Sequence, residues 1–586
     1  MSDKRHRWGQ FYTAPEVVDL VLGFCLRRPG DRLLDPSCGQ GAFLSRAAHF
    51  RRWLANSGGG ASEEGLWGVE IDPEAAAAAG LSLAADGVAS RILVQDFFSL
   101  QPGEELSDGF DAVVGNPPYT RSEWLGRVGE GADYKERLVR CAEPLARLGR
   151  RSGLHAYFFV HGSRFLRPQG RFGFVVSNSW LDVDYGIGLK QFLLDHFKIL
   201  VIVESAVERW FSQAKVNTCL VILEKCPDAT DRMRNQVRFA RLRQPLHELL
   251  VSSPDSPGRA ADVESLIMRL LPGRSRLSGD LPVRVVPQAT LRAEGKWGLY
   301  LRAPEVFFQT RARPGTVRLG EIAQVRRGQT TGANSFFYLS EQMRQKWGIE
   351  GEFVWPLLKS PKEVETIQVE SEGLPQHALV VAKGRDELAG TNVLRYIQWG
   401  ESQNYHRRAT CARRALWYSL APEVEAQDRV VWVKGIWNRH FAPLVEGGVV
   451  ADQQFYTLSV DSRLVRVLAA LLNSTWAALQ AELLGRSNFG EGVLWLAGYE
   501  VARIQLPDPS ELGPDDFHSL EDALAPLLDT PVQPVADQVR RPAQQRLDSV
   551  VFEMLGLTPG EGEAVLAAAV ERTALRMSRA EAGRGG

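Results

Sequence analysis

The chain has 586 residues, 44% of them apolar and 24% charged, with a formal net charge of −1. That length exceeds what one core can hold, so three or four globular domains are expected. Six scattered cysteines without a C-x-x-C pair, and ten histidines without metal-ligand spacing, exclude a disulfide scaffold and a zinc site of the usual kind. No apolar run reaches membrane-spanning length and no signal peptide is legible, so a reducing, cytoplasmic setting is expected. The near-neutral total charge says nothing for or against nucleic acid, and arginine clusters must be judged locally.

Residues 1–8 are polar and basic and read as an unstructured start. In Phe11-Tyr12-Thr13-Ala14-Pro15-Glu16, Thr13 and Glu16 fit a capping box with Pro15 in the first turn. This predicts an amphipathic helix to about Leu26. Leu33-Leu34-Asp35-Pro36-Ser37-Cys38-Gly39-Gln40-Gly41 then reads as strand, glycine loop and helix start. Gly39 and Gly41 let the backbone approach a ligand, and such a loop after the first strand of a doubly wound sheet is a cofactor site. Leu44 stands where a third dinucleotide-motif glycine would be, and no Gly-Lys-Ser/Thr follows. Dinucleotide and triphosphate binding are therefore disfavoured. Cys38 has no nearby base and reads as small packing rather than a nucleophile.

Leu66 to Glu70 is a second strand ending in an acid, placed to take both hydroxyls of a ribose. Asp72 can instead cap the alanine-rich helix that follows. Arg91 to Asp96 is a third strand with an acid at its tip, able to accept from an adenine amino group with Phe97 against the ring. A buried strand, Phe110 to Gly115, then stops in Asn116-Pro117-Pro118-Tyr119. Two prolines stiffen that turn and offer no N–H. Its carbonyls and the Asn116 amide oxygen are acceptors beside an aromatic face, which suits an exocyclic amino group on a flat ring stacked on Tyr119. Further strands follow near 170–177, 199–204 and 217–224, and Phe211 with Lys215 reads either as a base-stacking and phosphate-touching pair or as a core Phe.

Residues 226–312 lose the strand–helix rhythm, and Ser252 to Gly258 reads as linker. From about Leu319 a β-rich region interleaves arginine and aromatic residues. Arg326, Arg327, Thr331 and Asn334 share one turn-rich loop; Tyr405 to Arg408, Arg413 to Tyr418 and Trp432 to Arg439 repeat the pattern; Arg486 lies in another glycine loop. Such interleaving suits phosphate contact with base-edge readout. Leu547–Leu555 and Glu561–Met577 read as C-terminal helices.

Taken in order, the Phe11–Pro15 segment, Asp35 to Leu44, Glu70-Ile71-Asp72, Asp96-Phe97, Asn116 to Tyr119 and Phe211-Ser212-Gln213 resemble the gamma class of N6-adenine DNA methyltransferases. The Gly328 to Asn334 loop and the Asn473-Ser474 helix start resemble recognition domains of restriction–modification enzymes. The resemblance implies an α/β fold with a doubly wound, mostly parallel seven-stranded sheet, then an α+β target-recognition domain and C-terminal helices. It implies a catalytic domain over residues 1–225, a connecting segment over 226–312, recognition over 313–510 and helices over 511–586. S-adenosylmethionine would be held by Thr13, Asp35, Ser37, Gly39 and Gly41, with Glu70 on the ribose and Asp96 and Phe97 on the adenine. Asn116, Pro117, Pro118 and Tyr119 would be catalytic, with Tyr119 and Phe211 around the flipped base. Lys215, Arg326, Arg327, Thr331, Asn334 and Arg486 would touch double-stranded DNA. No metal is implied, no nuclease core is legible, and a nuclease or defence subunit would be a separate chain. Transfer to cytosine N4, to RNA or to a protein glutamine shares the same planar-nitrogen chemistry.

Overall fold

The computed structural model describes residues 13–56, 65–104, 106, 109–118, 132–149, 151–208, 210, 217–420, 427–487 and 492–582. The chain forms two compact units, Met1–Arg302 and Ala303–Gly586.

The first unit is built on one sheet. Its strands are β1 (Leu33–Asp35), β2 (Leu66–Glu70), β3 (Arg91–Val94), β4 (Phe110–Gly115), β5 (Leu166–Ser177), β6 (Phe197–Ser205), β7 (Thr218–Lys225), β8 (Gln236–Leu242) and β9 (Val283–Pro287). They lie in the order β3-β2-β1-β4-β5-β7-β6-β8-β9. The pairs from β3 through β5 are parallel, and β7 runs antiparallel to both of its neighbours. The side-chain period of two feeds two cores. Leu33, Ala112 and Val114 enter one, and Leu34 and Val113 enter the other. Both faces are therefore covered, which is why β1 and β4 are continuously apolar.

The expected seven strands are present, and the sheet continues past them. β8 pairs parallel with β6, and β9 pairs antiparallel with β8. The segment set apart as a connector at 226–312 thus belongs to the first unit up to Arg302, and the rest of it to the second. It also supplies a helix, Gly258–Leu270, whose Val263 packs so close to Gly23 that a Cβ there would lie 2.4 Å from Val263 Cγ1.

The first helix, α1 (Pro15–Cys25), starts as expected but is not capped as expected. Its N-cap is Ala14, without a side-chain cap. Glu16 pairs instead with Arg259 at 3.3 Å, and Arg259 also donates to the buried Asp19 at 2.8 Å. Both capping-box side chains are spent on distant partners, and tertiary pairing overrides the local pattern.

The second unit holds five-, four-, three- and two-stranded sheets and, at its end, helices Pro514–Leu528, Pro542–Met554 and Pro559–Ala582. The recognition region and the C-terminal helices, expected as separate parts, form this one unit. Asp548 of the middle helix accepts from both the N–H and the hydroxyl of Thr475, each at 2.7 Å, at the start of helix Thr475–Leu484. No single described helix is long and apolar enough to cross a membrane.

Candidate active site

Parallel pairing sets Asp35 of β1 opposite Gly68 of β2, and Leu34 opposite Val113 of β4. The three strands therefore end along one edge, and Asp35, Glu70 and Asn116 are delivered together. This is the edge where open α/β sheets bind ligands.

Asp35 is 1% exposed and accepts from the Ser37 N–H at 3.1 Å. Burial pushes its carboxyl up to about 8, against the pull of the Ser37 N–H and with a further push from Glu70. A Cβ on Gly115 would lie 2.8 Å from Asp35 Oδ1, so the end of β4 needs glycine to let this carboxyl in. Glu70 knits the loop together. Its Oε2 accepts from Gly39 N–H at 2.8 Å and its Oε1 from Asp72 N–H at 3.0 Å. Gly39 and Gly41 have φ of +54° and +85°, the left-handed region that favours glycine. Asp72 caps the next helix by accepting from Glu74 N–H at 2.9 Å. Cys38 is buried against Gly68, and its thiol is pushed far up by burial and by Asp35 and Glu70, which leaves it inert.

Ser37 Oγ is buried without a hydrogen-bond partner. Such a group costs stability unless something completes it, and at a glycine loop that something is a ligand. Donor types and backbone shape here fit a nucleoside joined to an amino-acid moiety.

Asp96 is more engaged than the sequence suggested. It accepts from Phe98 N–H at 3.1 Å and from Arg137 Nη2 at 2.5 Å, with Tyr134 OH at 3.4 Å. Arg137 and Tyr134 come from a helix, Ala132–Ala142, whose sequence gave no sign of that role. Phe97 departs from expectation. Its ring is 3% exposed and packs among Phe158, His161 and Phe165, so it is core and not an open platform for a ring. His161 Nε2 lies 3.1 Å from Phe97 O, and burial holds this imidazole down to about 4.

At the end of β4, Asn116 Nδ2 donates to Thr13 Oγ1 at 3.1 Å. The hydroxyl expected to cap α1 instead faces the amide of the strand-end motif. Pro117 is buried and Pro118 half-buried. Tyr119, Phe211 and Lys215 lie outside the described residues.

In the second unit the five expected DNA-touching residues separate into two kinds. Arg326 and Arg327 are exposed on a strand, Gln324–Arg327. Arg486 is 42% exposed and donates to the buried Glu500 at 3.2 Å. Thr331, by contrast, is 1% exposed; its hydroxyl donates to Asn334 Oδ1 and accepts from Ala333 N–H at 3.1 Å. Thr331 is therefore buried in building the turn, contrary to expectation, whereas Asn334 takes its hydroxyl proton and is itself exposed. Beside Arg327 stands Lys434, whose ammonium is pulled down by burial and by Arg327. Trp495, opposite both Gly435 and Arg486 in a small sheet, is 39% exposed and was not singled out in the sequence. Trp432, in contrast, is fully buried.

The family described as N-6 DNA Methylase matches residues 2–249, and the C-terminal domain family of type II methyltransferase M.Eco57I matches residues 295–527. The first half of the chain is thus similar to N-6 DNA methylases. The type II methyltransferase M.XamI of Xanthomonas campestris pv. amaranthicola is 27% identical over 349 residues, 58% of this chain and 55% of the relative. Type II methyltransferase M.TthHB8I of Thermus thermophilus is 33% identical over 192 residues, 32% of this chain and 38% of the relative. The chain spans about half, or less, of the length of these relatives. The type IIL restriction–modification enzyme MmeI, solved in complex with DNA, aligns with 96% of this chain and 75% of its own at a TM-score of 0.56 and 14% identity, a likeness of fold. The methylase family that this half resembles implies use of S-adenosylmethionine, and the donor set at the glycine loop is compatible with it.

Proposed function

We propose that this methylase domain transfers a methyl group to N6 of an adenine flipped out of double-stranded DNA, as the modification enzyme of a restriction–modification system of the gamma class. One observation carries the reading. Asn116 and the Pro117–Pro118 turn end the strand next to β1, so an amide oxygen and proline carbonyls sit beside the glycine loop and the Asp35–Glu70 pair.

Adenine within a duplex is out of reach, and extruding it costs a few kcal/mol of stacking and pairing. Stacking on Tyr119 and Phe211 offsets roughly 1–3 kcal/mol per contact. The N6 lone pair is delocalised into the ring and is a weak nucleophile. When N6 donates to the Asn116 side-chain oxygen and the Pro117 carbonyl, the nitrogen is drawn toward a tetrahedral form and its lone pair is released. The same two acceptors stabilise the positive charge that grows on N6, which is electrostatic preorganisation. S-adenosylmethionine, when bound, supplies an electrophilic methyl: the S–CH3 bond breaks as the N6–C bond forms, a neutral thioether leaves, and N6 loses one proton to water. Ser37, Gly39, Gly41 and Thr13 would hold the amino-acid end, Glu70 the ribose and Asp96 the adenine of that donor. For Asp96 to do so, Arg137 must share or yield the carboxylate. The exposed Arg326, Arg327 and Arg486 and the half-buried Lys434, with Trp437 and Trp495, would supply phosphate contacts and stacking on DNA.

Expression in methylation-free cells, followed by single-molecule sequencing of host DNA, tests the reading. N6-methyladenine at a fixed sequence is expected. Host DNA without modified bases, or with N4-methylcytosine alone, overturns it.

A further inference from the structure

A primary amide presents two ends of nearly the same shape and opposite hydrogen-bonding sense. Its terminal torsion is broad and roughly two-fold, so packing alone does not select one end. For Asn116 the selection decides the chemistry: an oxygen toward the amino group of a base accepts from it, and an NH2 there would set donor against donor. Thr13 is one partner of that amide able to make the selection. Thr13 is 5% exposed, and its Oγ1 accepts from Asn116 Nδ2 at 3.1 Å. Its expected alternative use, capping α1, is absent, because the N-cap of that helix is Ala14.

We propose that Thr13 is a positioning residue that holds the Asn116 amide with its oxygen toward the target nitrogen, and that it does so in step with filling of the methyl-donor pocket. This rests on the methyltransferase reading. A hydroxyl carries one proton and two lone pairs, so by itself it can accept from an amide nitrogen or donate to an amide oxygen. Once an acceptor in the donor pocket takes the Thr13 proton, only lone pairs remain for Asn116, and the NH2 end is the only match. The carboxylate of the donor's amino-acid end is such an acceptor. Asn116 follows Gly115, which abuts Asp35 Oδ1, and Asp35 supports the Ser37 turn of the donor pocket, so the amide that Thr13 accepts from lies at the edge of that pocket. The hydroxyl thus serves two ligands in order: donor first, then base.

The test compares wild type, Thr13→Val, Thr13→Ser and Asn116→Ala on two DNAs carrying the site found by sequencing: one with adenine at the target position, for the transfer rate, and one with 2-aminopurine there, which has no N6 amino group and reports base extrusion alone. At saturating donor, Thr13→Val is expected to lower the transfer rate by about 10- to 100-fold, the size of one lost hydrogen bond to a reacting group. Its KM for DNA and the 2-aminopurine signal of base extrusion should stay at wild-type values, and Thr13→Ser should restore the rate. In protein labelled with 15N-asparagine, the Asn116 side-chain resonances, identified by their loss in Asn116→Ala, should shift when S-adenosylhomocysteine is added to wild type. They should not shift in Thr13→Val at saturating S-adenosylhomocysteine. A Thr13→Val enzyme that regains full rate once donor saturates would show a donor ligand only and overturn the inference. So would failure of Ser to rescue a folded protein, or Asn116 resonances that respond alike in both. Wild type that methylates no DNA would instead bring down the functional reading itself.

Discussion

Both units of the molecule bury carboxylates, and they use them differently. In the second unit each buried acid is consumed by its own chain. Asp548 takes the N–H and hydroxyl of Thr475 and the Gln544 amide. Asp452 takes the Tyr338 hydroxyl and the Gln454 N–H. In the first unit Asp35 is equally buried yet accepts only from Ser37 N–H, and the Ser37 hydroxyl beside it has no partner. Buried polar groups are normally satisfied. An acid whose bonding capacity is used within the chain, as Asp19 and Glu204 of the first unit also are, is scaffold, and one that leaves capacity at a strand-end loop can receive a ligand.

The sharpest way to break this contrast is at Asn116. Asn116→Ala should reduce methyl transfer by at least 100- to 1000-fold, as loss of one preorganised transition-state partner does, while calorimetry finds donor affinity close to wild type. Substantial transfer by that variant would remove the strand-end amide from the mechanism. Next come two serines. Ser37→Ala should weaken donor binding by about 10-fold, a net hydrogen bond, with little change in melting temperature. Ser474→Ala should leave donor binding alone and cost about 1 kcal/mol of stability, because Ser474 caps a helix by accepting from Ala477 N–H at 3.3 Å.

The two raised acids differ in their pH windows. Each binds its proton more tightly folded than unfolded, so each contributes stability at low pH that is lost as pH rises through its folded value. For Asp548 that value is about 6, burial being the main cause, and for Asp35 about 8. Between pH 6.5 and 8.5 Asp35 is therefore the acid still titrating, and Asp35→Asn should flatten the fall in melting temperature across that range by ~2–4 °C. Asp548→Asn should flatten it only between about pH 4 and 6. Thermal scans at four pH values separate the two. The smallest effect is on the DNA-reading side. Arg327→Ala should weaken DNA binding several-fold and lower the salt slope by about 1, as loss of one phosphate contact does. Thr331→Ala should lower stability and leave the salt slope unchanged.

The residues proposed to carry the chemistry were legible because such a reaction would demand particular groups at strand ends in a set order. Asp35, Glu70, Asp96 and Asn116 each close a predicted strand, and the structure puts the tips of β1, β2 and β4 at one edge. Thr13 was misread for a local reason: Thr-x-x-Glu before an apolar run is what a capping box looks like, and the contacts that divert both side chains come from residues 103 positions away in one case and from Arg259 in the other. β8 and β9 were illegible because their partners are distant: β8 pairs with β6 across the intervening β7, β9 pairs with β8 across the Ser252 to Gly258 stretch and the helix Gly258–Leu270, and no local periodicity records that. Thr331 carries the composition of a reading loop, yet it is buried with its hydroxyl donating to Asn334 Oδ1. Burial of that kind is invisible in a one-dimensional pattern.

The two added strands have a consequence for how the catalytic unit can be cut and joined. Without residues beyond Lys225, the nine-residue, almost wholly buried β6 would lie open along one side, a template for pairing with other chains. β8 covers it, and the sheet then ends on β9, five residues long and finishing at Pro287, which has no N–H to offer a newcomer. A fragment stopped at residue 225 should therefore aggregate, and one carried through Arg302 should stay dispersed. On that expectation, the stretch with no legible motif is what keeps the first unit from pairing edge to edge with other chains.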